Sequence, residues 1–127
     1  MKLKKVISVF TASCLLMTIA GCGDSKPDGM PDPFYKAGVQ FINVLDQVLD
    51  VEMDYETAYN ETKLYVDVME GYKDEDIKYS LIAANAGTIR LNFSPDNLLG
   101  YSEKGLTTLL EDRNDFAEDF NVKAREQ

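Results

Sequence analysis

Histidine is absent from all 127 residues, and only two cysteines occur, Cys14 and Cys22, both near the start. Without histidine there is no Ser-His-Asp or Cys-His nucleophile system, no Glu-x-x-His di-iron bundle and no histidine-ligated haem. With no cysteine after position 22, the usual zinc constellations and any disulfide framework in the later chain are excluded as well. The glycines, Gly100 and Gly105 among them, fall into neither nucleotide-binding loop pattern. A carboxylate pair is the one acid–base device left, and a small helical bundle rarely offers a sugar cleft for it. The sequence therefore predicts a protein that is not an enzyme and holds no cofactor.

Basic residues are also scarce, 13 against 22 acidic, for a net charge of −9. Lys2, Lys4 and Lys5 lie at the very start; without them, ten basic residues face 22 acidic ones, a net of −12. Such a surface repels nucleic acid and anionic lipid, so nucleic acid is excluded as a partner.

Those three lysines precede an uncharged stretch from Val6 to Ala20, too short to span a bilayer comfortably but long enough for a targeting segment. It ends in Leu16-Met17-Thr18-Ile19-Ala20-Gly21-Cys22, which resembles the lipobox of bacterial lipoproteins. The resemblance covers residues 1–22. It implies cleavage after Gly21 and a diacylglyceryl group on the Cys22 sulfur, with a further acyl chain on its amine in many bacteria. An uncleaved anchor and an ordinary signal cut after Ala20 or Gly21 are the alternatives. In a cell with two membranes, Gly23 rather than aspartate after the cysteine implies the outer membrane; with one membrane, the cell membrane is implied. Residues 23–31, rich in Gly, Pro, Ser and Asp, read as flexible. The expected organisation is a signal peptide over 1–21, a lipidated cysteine and flexible tether over 22–31, and one helical domain over 32–127.

The fold class expected for that domain is all-α, a small bundle of three or four helices. Asp32-Pro33 predicts a capped start for a helix over 33–50, with Phe34, Ala37, Phe41, Leu45, Val48 and Leu49 on one face. Asp54 predicts the cap of a second helix, 55–70, ending at Gly71. A third is expected over 75–92, with Ile77, Leu81, Ala84, Thr88 and Leu91 at alternating four and three residue spacing. Its uncharged run from Tyr79 to Ile89 predicts the centre of the bundle. Small residues around Gly87 are expected to admit a neighbouring helix, and Asn85 to satisfy a nearby backbone group. Ser94-Pro95-Asp96-Asn97 predicts a single helical turn. Ser102 then caps a fourth helix over 103–124, with Leu106, Leu109, Leu110, Phe116, Ala117 and Phe120 inward.

Two constellations invite a functional reading. Asp50, Glu52, Asp54, Glu56 and Glu61 occupy positions one, three, five, seven and twelve of an EF-hand-like register, although Tyr55 stands where the sharp turn needs glycine. A solvated helix start explains the same residues, and a calcium site there would be weak. Among seven tyrosines, Tyr59, Tyr65 and Tyr72, rimmed by acids, are the candidate partner surface, since tyrosine suits both core edges and interfaces. The leading expectation is an envelope protein whose helical module binds a protein or peptide partner. Divalent cation binding by residues 50–61 and protection against a phage, plasmid or toxin are the alternatives.

Overall fold

The computed structural model describes residues 26–97 and 102–126. The described chain is four antiparallel helices in up-down-up-down order: α1 (Asp32–Leu49), α2 (Tyr55–Glu70), α3 (Ile77–Arg90) and α4 (Glu103–Glu118). Each helix packs on its neighbours in sequence, and α4 closes the bundle against α1. The chain is thus a small four-helix bundle.

Helix α1 is the centre. It buries Phe34, Tyr35, Ala37, Gly38, Phe41, Ile42, Val44, Leu45 and Val48, more than any other helix. Phe34 stacks on Phe120 at 5.8 Å and meets Tyr79 at 4.7 Å, while Phe41 meets Phe116 at 5.0 Å. These rings form one end of the core, and Tyr55 meets Phe93 edge-on at 5.4 Å at the other.

Pro31, not Asp32, occupies the N-cap of α1. Asp32 instead sits in the first turn, where its charge complements the helix dipole, and pairs with Lys26. The other starts follow ordinary capping chemistry. Asp54 accepts the Thr57 N–H at 2.7 Å, Asp76 the Lys78 N–H at 2.9 Å and Ser102 the Gly105 N–H at 3.1 Å.

The third helix corrects the expected orientation. Ile77, Leu81 and Leu91 are 72%, 63% and 58% exposed, and Ala84 and Thr88 lie between them on the solvent side. The buried set is Tyr79, Ile82, Ala83, Ala86 and Ile89. Apolar residues surround this helix, so it carries two candidate stripes. The one with an aromatic ring and two alanines fits against α2 and α4, and α3 is a flank rather than the centre. A Cβ on Gly87 would meet nothing within 4 Å, so no helix in the bundle uses the space it leaves.

Two further ends differ from expectation. Helix α3 stops at Arg90 rather than 92 and passes through a 3-10 turn, Leu91–Phe93, into a turn at Ser94–Asn97, with the Asn97 N–H donating to the Ser94 carbonyl at 2.9 Å; the helical turn expected over 93–101 falls partly outside the described residues. Residues 98–101 lie outside the described residues. Helix α4 stops near 118 rather than 124 because Asn121 takes a left-handed conformation, φ 58°, and the Val122 N–H returns to the Ala117 carbonyl at 3.0 Å. Asparagine tolerates that conformation, and Val122 then packs on the core.

The same closure ends α1, but there the left-handed residue is Val51. The Glu52 N–H reaches the Gln47 carbonyl at 2.7 Å while the valine, φ 58°, is 72% exposed. A β-branched side chain is strained there and gains nothing from burial. Val51→Gly is expected to raise stability by about 1 kcal/mol, the strain relieved less the glycine's entropy. A urea midpoint that moves up with unchanged slope checks this.

Candidate interaction surface

The three tyrosines lie along α2 and its end, each half-buried against the core. Tyr59 lies under the Arg90 guanidinium, 3.8 Å from ring centroid, and the same arginine donates to the Tyr59 carbonyl at 2.9 Å. Tyr72 meets Phe34 edge-on at 5.8 Å. The phenol of Tyr65 is held above its usual range by desolvation first and by the Glu61 carboxylate second. Six residues of α-helix separate Tyr59 from Tyr65, about a third of a turn out of phase. The structure therefore spreads these rings along the flanks of α2 and does not gather them into one patch.

The acidic register is not gathered either. Asp54 is committed to its cap, and Asp50 binds Arg125 at 2.7 Å. Among the described residues no group of three or more acidic side chains is placed to hold a metal ion. The turn at Val51 ends α1 where an ion-binding loop would have to wrap.

Part of the expected tether is held against the bundle, although Asp28 and Gly29 within it are exposed. Met30 is only 4% exposed, its N–H donates to the Pro27 carbonyl at 3.2 Å, and the Tyr79 hydroxyl donates to the Gly29 carbonyl at 3.3 Å. Gly29 permits this course, with φ 79°. Between this segment, α3 and the end of α4 runs an open cleft of about 400 Å³. Met30, Leu81 and Ile82 make its apolar lining; Lys78 and Asp119 bring opposite charges to it, and Asn85, exposed rather than bonded into the core, lines it too. Sequence periodicity had no means of finding this cleft, because Pro27 and Met30, which close one side of it, come from a segment without periodic structure.

A second feature missed by the sequence reading is an ionic pin. Arg113, 4% exposed on α4, donates to Asp46 of α1 at 2.8 and 3.2 Å, and to the Asn114 side chain and the Lys123 carbonyl. The tail after Asn121 doubles back so that Arg125 reaches Asp46 at 3.1 Å and Asp50. Its only sequence signal was Arg113 itself, at an inward position of α4.

Several carboxyls titrate away from their usual range. Desolvation raises Glu61; desolvation raises Asp112, with Asp115 and Glu111 adding to it and a hydrogen bond from Asn92 opposing; desolvation, then Glu118, raises Asp119. Asp54 is lowered by the bonds from Thr57, and Asp32 by its bond to Lys26. A raised carboxyl contributes stability that is present below its unfolded pKa and lost as pH rises through the folded one. A lowered carboxyl contributes stability present above its unfolded pKa and lost as pH falls through the folded one. Melting temperature is accordingly expected to rise as pH falls from neutrality through the raised carboxyls, then to fall at lower pH as Asp54 and Asp32 protonate. Asp112→Asn should flatten the rise, as a melt series over pH would record.

Cys22 lies outside the described residues. No helix among those described is long and apolar enough to cross a membrane. Comparison of the chain with protein-family models, with curated proteins and with solved structures gives no match.

Proposed function

We propose that this chain is a lipid-anchored envelope protein, acylated on Cys22, whose helical bundle binds a protein or peptide partner close to the bilayer. The observation that supports this reading most directly is the burial of Met30 and the bond from the Tyr79 hydroxyl of α3 to the Gly29 carbonyl, only a few residues after the lipobox-like run. With the chain buried from Met30 onward, the stretch from Cys22 to that residue reaches at most about 30 Å. An anchored bundle of this kind works against the membrane surface. The ends of α2 and α4 and the starts of α1 and α3 face the anchor, and the half-exposed tyrosines of α2 stand along its flank.

Cross-linking in intact cells, followed by mass spectrometry, tests the reading, with Cys22→Ala as control. A dominant envelope partner is expected from the acylated protein and is lost in the control. Its contact should weaken on replacing Tyr59, Tyr65 or Tyr72 by alanine. Recovery of bulk envelope proteins alone, or an unmodified Cys22 in the purified protein, would overturn it.

A further inference from the structure

We propose that the outer face of α3 pairs two copies of this chain, antiparallel and about a two-fold axis. Ile77, Leu81, Ala84, Thr88 and Leu91 lie in one row on the solvent side, with the three large side chains 72%, 63% and 58% exposed. The Thr88 hydroxyl donates to the Ala84 carbonyl of its own helix at 3.1 Å. That bond satisfies the one side-chain polar group in the row within its own helix. A row this long on an isolated bundle is unusual, because single exposed apolar residues are ordinary and aligned ones are not.

Charge decides what covers it. The chain carries −9, and carboxylates stud the exposed sides of α2 and α4, among them Glu56, Asp67, Glu70, Glu111, Asp115 and Glu118. The row on α3 has none. No charged residue falls between Tyr79 and Ile89, and Arg90 is turned inward onto Tyr59. A basic partner would be drawn to α2 or α4, whereas two copies of this acidic chain repel least along the middle of this row, where the nearest carboxylates are Asp76 beside Ile77 at its start and Asp119, which lines the cleft with Leu81.

The row is also self-complementary. Its spacing of four, three, four and three is that of a coiled-coil seam. In an antiparallel pair centred level with Ala86, Leu81 opposes Leu91 of the second copy and Ala84 opposes Thr88, each contact occurring twice. Large residues close the ends and small ones let the helices approach in the middle. Such an isologous contact closes at two copies. One helix face per copy is a small interface of the transient class, so the pair forms where the chain is concentrated, as any surface confinement would arrange.

The test places a photo-reactive amino acid at Ala84 in the full chain, co-expressed with a differently tagged second copy. The expected product is a two-chain adduct joined at or beside Thr88. The pair Leu81→Glu with Leu91→Glu should reduce it about tenfold or more by opposing like charges, with little change in melting temperature because both positions are exposed. The Cys22→Ala form should give the same adduct at high protein concentration, which separates this pairing from the anchoring proposal. Adducts solely to other proteins, no adduct at all, or a junction away from α3 would overturn the proposal. Because the junction is read on the otherwise unaltered protein, the test does not rest on the glutamate variants folding.

Discussion

Asp46→Ala is expected to lower the stability of the bundle by about 3–5 kcal/mol, a large share of what a domain of this size possesses. The reason is the position of Arg113. Its side chain is 5% exposed, and Asp46 receives two of its N–H groups while also receiving Arg125. Removing the carboxylate leaves a guanidinium out of water with only the Asn114 and Lys123 oxygens, and takes away one of the two carboxylates that hold Arg125 of the tail, Asp50 remaining. The reverse deletion should be milder. Arg113→Met leaves Asp46 28% exposed and still paired with Arg125, so no charge is stranded. Urea unfolding of the two single variants checks the asymmetry. Equal losses would mean that the pair acts as a simple attraction and that desolvation of Arg113 is unimportant.

Gly38→Ala is expected to destabilise by about 2–3 kcal/mol although alanine is the better helix former by about 1 kcal/mol. A Cβ at this position of α1 would fall well inside contact distance of Cε2 and Cζ of Phe120. The ring is fully buried against Phe34 and Phe116 and has no free direction in which to swing. Either the ring or the end of α4 must move, and the Asn121 turn that follows moves with it. Shortening the ring should rescue the variant. Gly38→Ala with Phe120→Leu is expected to lie closer to the parent than Gly38→Ala alone, as chemical denaturation of the two would reveal. Failure of the rescue would place the strain elsewhere in α1.

Both effects turn on features that a one-dimensional pattern records only faintly. Gly38 in the sequence merely widens an apolar stripe; its need for glycine comes from Phe120, 82 positions away. Arg113 is a charge at an inward position, legible as an oddity, but its acceptors lie on α1 and in the tail. The tyrosines were legible as half-buried rings, and they are, yet which side of α2 each occupies and that Arg90 covers Tyr59 depend on where α3 lies.

Local chemistry by itself determined the all-helical class, the bounds of α2 and the start of α4, because capping side chains and apolar periodicity act within a few residues; α3 was expected from 75 and begins at Ile77, with Asp76 as its cap. It also determined the acidity and the lack of histidine, which exclude histidine-dependent nucleophile and haem systems. Tertiary structure decided which of two apolar stripes α3 buries, that Met30 belongs to the core, and that the tail returns to α1. Helices with apolar residues all round, and segments without periodicity, have no local preference strong enough to choose. Their arrangement is set by the shape and charge of the surface they meet.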